Sequence, residues 1–342
     1  MKPEWTRPIQ MRASFMEHGA MILKISMETR FLALSGLVMA IALVGCGSSE
    51  PDDVEGGGSA LLMSDDEFDD IRTVNYPLWF FANRIGGDIV PVHFDAPDGD
   101  PAFWQPDASM IATFQQSDLI LLNGADYAKW TKHASLPRSK CVNTSESFED
   151  QYIFYEEAVT HSHGTEGEHA HEGTAFTTWL DPLLAMRQAS AIRDAMNQRL
   201  PEQKEMFDLG YESLARDLRR LDESLTDVAA EIGDRPIIGS HPVYQYLARR
   251  YALNIRSVHW EPDAEPSAEQ WAELDELLAE HPATVMIWEG DPLGSVAEAL
   301  NARGIRSFVV DPCGNRPAQG DWIAVMIDNT AALRSLSAAR QP

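Results

Sequence analysis

Residues 201–232 read PEQKEMFDLGYESLARDLRRLDESLTDVAAEI. Within them Phe207, Tyr211, Leu214, Leu218, Leu221, Leu225 and Val228 recur at alternating steps of four and three. That spacing lays one unbroken apolar stripe along a single helix. A helix of about 30 residues, rising 1.5 Å at each, is roughly 45 Å long. Such a helix outspans one small domain, so the stripe predicts a rigid rod joining two.

On both sides of the rod, strand-like and helical segments alternate. Upstream, residues 72–76 (RTVNY), 89–94 (IVPVHF), 118–123 (DLILLN) and 141–143 read as strands, with helical spacing at 78–85 and 109–116. Asp181-Pro182 opens a helix running to about residue 200, with Asp as N-cap and Pro in the first turn. Downstream, strands are expected at 236–239, 255–258, 284–288 and 307–310, and helices at 243–251, 268–280, 293–303 and 322–336. Strands alternating with helices imply parallel sheets with crossovers. The fold class is therefore α/β, with two parallel-sheet lobes: an N-terminal lobe at 71–200, the linking helix at 201–232 and a C-terminal lobe at 233–342. No short-period repeat relates the halves, which are alike in style only.

Ahead of the lobes, residues 31–44 (FLALSGLVMAIALV) form an apolar run of 14, preceded by Lys24 and Arg30. A membrane-spanning helix needs roughly 20 such residues, so 1–45 reads as a leader and secretory signal peptide. Translation is expected to begin at Met21 or Met27. Leu43-Val44-Gly45-Cys46 resembles a bacterial lipobox, which implies that Cys46 is lipidated and heads the mature chain; an uncleaved anchor is the alternative. Residues 51–70 carry eight acidic side chains, three consecutive glycines and no Lys or Arg. Such a stretch cannot bury a core, so 46–70 reads as a lipidated, flexible tether.

Across 342 residues, 53 Asp and Glu outweigh 27 Lys and Arg, for a net charge of −26. That balance excludes nucleic acid as a partner, since phosphate binding rests on cationic side chains. It suits cations, or simply a solubilising surface. Three cysteines exclude a disulfide scaffold. Cys141 and Cys313 fall in different lobes, and whether they bridge or stay separate is open at this level. Cys313, two residues past Asp311, is also a candidate soft ligand.

The side chains with chemistry cluster on histidine. His161, His163, His169 and His171 lie within THSHGTEGEHAHEG, interleaved with Glu166, Glu168 and Glu172. The segment reads as a mobile loop able to chelate a divalent transition metal, since imidazole suits zinc, copper and nickel. A passive polar loop is the alternative. His241 follows the strand at 236–239, Glu289 the strand at 284–288 and Asp311 the strand at 307–310. The carboxyl ends of parallel strands are where ligands bind in open α/β sheets, so the three are candidates for one metal cleft. Taken singly, each is more often an N-cap or a satisfied polar group. His93 ends one strand and is a further candidate; His259 follows another. His133 and His281 are expected to face solvent.

From residue 72 onward the chain resembles the solute-binding proteins of zinc and manganese ABC transporters, the TroA-like superfamily. The likeness rests on Val74-Asn75-Tyr76-Pro77, Asp100-Pro101 with Pro106, and Ser117-Asp118-Leu119-Ile120 through Asn123-Gly124 and Trp130. It continues in Trp179-Leu180-Asp181-Pro182, Ser240-His241-Pro242, Tyr246-Leu247-Ala248 with Arg250-Tyr251, and Glu265-Pro266-Ser267. A His-rich loop before the Trp-Leu-Asp-Pro segment is typical of zinc-type members. The resemblance implies two α/β lobes joined by a rigid helix, a metal held between them, and delivery to a membrane permease. It also implies His241 and Asp311 as second-lobe ligands. Two first-lobe histidines of the family pattern are missing, because Ala102 and Thr177 stand in their places. Either the His-rich loop folds in to replace them, with help from His93, or the cleft binds something else, such as a metal chelate, while the loop buffers metal on its own. The first is the favoured expectation.

The leading function is thus an extracytoplasmic, lipid-anchored, monomeric protein that captures Zn²⁺ (or Mn²⁺ or another divalent transition metal) for an ABC permease. It would sit on the outer face of the cytoplasmic membrane or in the periplasm. An enzyme is disfavoured, since there is no His-Glu-x-x-His helix and no Gly-x-Ser-x-Gly elbow. A metal-buffering or chelate-binding surface lipoprotein is the remaining alternative.

Overall fold

A computed structural model describes residues 68, 70–154, 159–163, 167–171 and 173–338; for 159–163, 167–171 and 338 the description is of backbone alone. The signal peptide, Cys46 and nearly all of the acidic segment lie outside the described residues. No helix among those described is long and apolar enough to cross a membrane.

The first lobe starts with β1 (Ile71–Thr73), α1 (Tyr76–Gly86) and β2 (Val92–His93). It continues with α2 (Ala108–Gln116), β3 (Leu119–Leu122) and β4 (Cys141–Asn143), then α3 (Pro182–Arg199). Capping marks the helix starts. Asn75 Oδ1 accepts from Leu78 N, Asp107 Oδ1 from Met110 N, and Asp181 Oδ1 from Leu183 N, with Pro77 and Pro182 in first turns. The strands form one parallel sheet in the order β2-β1-β3-β4, with Ile71 opposite both Val92 and Leu119. Between β4 and α3, β5 (Val159–His163) and β6 (Gly167–His171) pair antiparallel.

The second lobe repeats the pattern with β7 (Ile237–Gly239), α5 (Gln245–Tyr251), β8 (Ile255–Ser257), α6 (Ala268–Glu280), β9 (Val285–Trp288), α7 (Gly294–Ala302) and β10 (Arg306–Val309). Its parallel order is β10-β9-β7-β8. Numbered within each lobe, both sheets therefore read 2-1-3-4, a sameness of topology that no sequence repeat disclosed. Central strands are buried on both faces, as parallel sheets require. Ile237 and Ile287 join the main core, while their neighbours Ile238, Met286 and Trp288 build a second cluster with Trp260 and Leu274.

The linking helix is α4 (Lys204–Ile232), entered through a short 3-10 turn at Pro201–Gln203. Its stripe is buried, apart from half-buried Tyr211, whose ring carries the Arg193 guanidinium 4.4 Å from its centroid. The helix packs on α1, α3 and α5 and on α8 (Trp322–Ala338). Gly210 makes the α1 contact possible: a Cβ there would lie 2.3 Å from the Ile85 carbonyl oxygen. Toward its other end, Asp222 takes Arg250 and the Tyr251 hydroxyl of α5. Helix α8 also reaches both lobes, since Trp322 packs edge-on against Phe81 of α1 while Arg235 reaches the Leu336 carbonyl. The main apolar cluster runs through both lobes without a break.

Candidate metal-binding cleft

Each second-lobe strand releases the chain at its carboxyl end into a loop that presents an ionisable group to the cleft, and the loop after β8 adds Asp263 to its lining. His241 follows β7, Glu261 follows β8, Glu289 follows β9 and Asp311 follows β10. The loops are fixed by backbone bonds: Ser240 N donates to Ile287 O at 2.8 Å and Trp260 N to Ser240 O at 2.7 Å. Gly239, just before the histidine, has no room for a side chain, because a Cβ would lie 2.7 Å from Ser257 Oγ. Asn329 of α8 clamps the Asp311 backbone from both sides, accepting from its N–H at 2.9 Å and donating to its carbonyl at 2.6 Å.

His241, Glu261 and Glu289 each offer one ligand atom, and these atoms lie within 4.8 Å of one another. His241 Nδ1 is 3.3 Å from Glu261 Oε1 and 3.9 Å from Glu289 Oε1. The imidazole is buried and the two carboxylates are half-buried. Ligand atoms around a tetrahedral zinc, each about 2.0–2.2 Å from it, stand roughly 3.4 Å apart, so the spacing suits a divalent ion. The charge balance suits one too. Burial, then the like charges of Glu261, Asp100 and Asp311, push the Glu289 carboxyl well above its usual range. Burial also raises Asp311, against the Cys313 N–H that its Oδ1 accepts. Buried Tyr244, whose hydroxyl donates to Val310 O, is raised well above the usual phenol value by burial and by Glu289 and Asp311, and stays neutral. A divalent cation relieves this crowding of acids.

The group opens onto a cavity of about 590 Å³. Asp311 lines the cavity without joining the group of three. The facing wall comes from the first lobe and is aromatic: Phe103, Tyr127, Phe176 and Trp179 line it, with Asp100 and Thr177. Tyr127 meets Phe176 edge-on at 5.2 Å and Trp179 at 5.8 Å, and Phe176 meets Phe103 at 6.1 Å. Ala102 is buried and Thr177 Oγ1 donates to Val243 O at 2.5 Å. The first-lobe ligand positions therefore hold an apolar side chain and a hydroxyl committed to a bond between lobes.

The candidates named from sequence sort as follows. His241 and Glu289 come together, and Asp311 lines the same cavity. His93 does not join them: it sits exposed on edge strand β2, away from the cavity lining. The side chains of His161, His163, His169 and His171 lie outside the described residues. Their backbone is a two-stranded ribbon rather than an irregular loop, with His161 directly opposite His169 and all four histidine positions sharing one parity of the ladder. A bridge between Phe154 and Thr174 closes its base, three residues before Thr177. Cys141 and Cys313 are both free, so no bridge ties the lobes. Cys313 is buried and absent from the cavity lining, so it does not join the three as a soft ligand in this structure. His133 is exposed, but His281 is not: it ends α6, turns inward and places Nε2 3.0 Å from Ile237 O.

Sequence reasoning missed Glu261 and Asp100. The signal for Glu261 was available, because it follows β8 of the same sheet. His259, two residues earlier, packs its ring edge-on to His241 at 5.6 Å. Asp100 carries no signal of its own beyond the Asp100-Pro101 pair.

Two 2-1-3-4 sheets, a shared long helix and a cleft between the lobes define a TroA-like, two-lobed solute-binding fold. Residues 71–336 match the family described as zinc-uptake complex component A, periplasmic, and the chain belongs to that family. Among curated relatives, the zinc-binding lipoprotein AdcA of Streptococcus pneumoniae is 27% identical over 284 residues, covering 80% of this chain and 56% of the relative. This chain thus spans little more than half of that protein. The high-affinity zinc uptake system protein ZnuA of Bacillus subtilis is 28% identical over 260 residues, covering 72% and 79%. Among solved structures, the metal-dependent lipoprotein YcdH from Bacillus subtilis superposes with a TM-score of 0.67 at 24% identity, covering 78% of this chain and 98% of that one. Zn(II)-bound AdcA from Streptococcus pneumoniae gives 0.66 at 22% identity, covering 80% and 58%. These likenesses establish the fold.

Proposed function

We propose that this protein captures Zn²⁺ outside the cytoplasmic membrane and hands it to an ABC permease, binding without catalysing a reaction. The observation that carries the reading is the convergence of His241, Glu261 and Glu289 within 4.8 Å at the carboxyl ends of three neighbouring strands. Family membership and the zinc-binding relatives support the same cargo. In this reading Asp311, on the same cavity, supplies the fourth ligand. The site is then built from one lobe, unlike the site shared by both lobes that the family pattern implied. In this reading the lipobox-like Leu43-Val44-Gly45-Cys46 holds the chain on the membrane's outer face through a lipid on Cys46. The histidine ribbon acts as a separate, weaker collector of metal, since the cleft has its own ligands.

Calorimetric titration of the full chain with Zn²⁺, beside a variant lacking residues 161–171, tests this assignment. One tight site retained in both proteins, with weaker extra binding only in the intact chain, is the expected result. A tight site lost with the ribbon would transfer the first-lobe ligand role to its histidines. The absence of any tight site would remove the zinc-capture reading.

A further inference from the structure

Asp311 stands where the chain passes from one lobe to the other. On its N-terminal side the second lobe holds it: Val310 N donates to Trp288 O at 2.7 Å, and the Tyr244 hydroxyl to Val310 O at 2.9 Å. On its C-terminal side residues 312–316 form a strap gripped by the first lobe. Trp179 Nε1 donates to Pro312 O at 2.8 Å and Tyr76 N to Gly314 O at 3.0 Å. Asn315 Nδ2 donates to Pro97 O at 2.9 Å and to Gly99 O at 2.8 Å, while its Oδ1 accepts from Arg316 N at 2.7 Å, which sets the amide's orientation. The Arg316 guanidinium lies 4.4 Å from the Trp79 ring centroid and 5.3 Å from that of Tyr76.

The strap is strained beside the ligand. Cys313 has a φ of 55°, in the left-handed region that residues with a side chain rarely adopt. Such a conformation persists where surrounding contacts over-determine it, and here first-lobe bonds hold the chain on both sides, at Pro312 and Gly314. In this conformation the Cys313 N–H reaches back to Asp311 Oδ1 at 2.6 Å and fixes the carboxylate's rotation. One series of contacts therefore runs from Pro97 and Gly99 through Asn315 and Cys313 to the Asp311 carboxylate. Hydrogen-bonded partners of this kind orient metal ligands, and losing one typically costs ~10–100-fold in metal affinity.

We infer that the first lobe, which gives zinc no ligand of its own, sets the fourth one: its grip on residues 312–316 holds the Asp311 carboxylate in place, with Asn315 as the positioning residue. The inference rests on the zinc reading and on Asp311 as its fourth ligand.

The test uses the full chain, with Zn²⁺ affinity measured by competition against a chelating dye and Zn²⁺ release by stopped flow. Asn315→Ala should weaken zinc about tenfold. The loss should appear as faster release, because the charges that attract the ion are unchanged. Trp179→Phe keeps the ring and removes only the donor to Pro312 O, and should weaken zinc about threefold, the effect of one hydrogen bond. Asp311→Ala alone should cost more than about tenfold, and in that background Asn315→Ala should change affinity less than about twofold, since a residue acting through Asp311 has nothing left to position. Ile192→Val, a change in the first-lobe core on α3, should lower the melting temperature and leave zinc within about twofold. An unaltered affinity in Asn315→Ala, a loss that persists undiminished without Asp311, or an equal loss in Ile192→Val would overturn the inference and leave the zinc reading intact. An affinity unmoved by Asp311→Ala would instead strike the fourth ligand from that reading, and this inference with it.

Discussion

At the switch point of the first sheet, β1 and β3 end in Asn75 and Asn123; at that of the second, β7 and β9 end in His241 and Glu289. The positions are equivalent and their chemistry is opposite. Asn75 Nδ2 donates to Asn123 Oδ1 at 3.1 Å, Gln188 Nε2 reaches the same oxygen at 3.2 Å and Thr144 Oγ1 at 3.0 Å, and Thr178 Oγ1 donates to Gln188 Oε1 at 3.2 Å. These neutral groups satisfy one another and spend the crevice on rigidity. In the second lobe, acids crowd the His241 imidazole, and the carboxyl of Glu289 is harder to ionise than in water. A strand end in an open sheet is thus only an opportunity. Whether it binds a ligand depends on whether its polar groups have already been used by the protein.

The comparison breaks most decisively at His241. Structural zinc sites gather ~10–16 kcal/mol from about four ligands, so losing one is worth about 3 kcal/mol. His241→Ala should lower zinc affinity on the order of 100-fold, and calorimetry showing less than a tenfold loss would remove the histidine from the site.

Next is a reversal of slope at Glu289. Its folded pKa lies above the unfolded value of 4.5, so between the two the native state binds more protons than the unfolded state. Stability from this group is present at low pH and lost as pH rises through the raised pKa. For the metal-free chain, Glu289→Gln should therefore raise the melting temperature at pH 8 and leave it nearly unchanged at pH 5. Equal shifts at both pH values would contradict the crowding of charge in the cleft.

The first-lobe counterpart should behave the other way. Asn75→Ala removes the α1 cap and one bond to buried Asn123, together about 2 kcal/mol of stability. Zinc affinity should stay within about twofold, and a tenfold change would mean that the first-lobe switch point serves the metal after all. Smaller still, Thr177→Val removes the hydroxyl that holds Val243 O, at a cost of about 1 kcal/mol in urea unfolding. No measurable cost would mean that this bond between the lobes adds nothing in solution.

Much of this architecture was legible along the chain because it depends on local periodicity. The stripe through Phe207, Leu214, Leu218 and Leu225 determined α4, and Asp181-Pro182 marked the start of α3. The expected strand at 72–76 shortened to Ile71–Thr73, because Asn75 caps a helix that begins at Tyr76. His281 defied its polar character because a helix end steers it onto β7.

The amino-acid order alone established two α/β lobes on a rod, an acidic balance that suits cations or simply solubility, and His241, Glu289 and Asp311 at the ends of strands. Those follow from residue type and short-range spacing, which need no fold to be read. Only the folded chain decided that Glu261 stands beside His241, that Thr177 is tied to Val243, that both cysteines stay apart, and that an aromatic wall faces the acids. Each of these joins residues from separate elements. Their distances are set by how the two sheets and α4 pack, and sequence separation carries no measure of that.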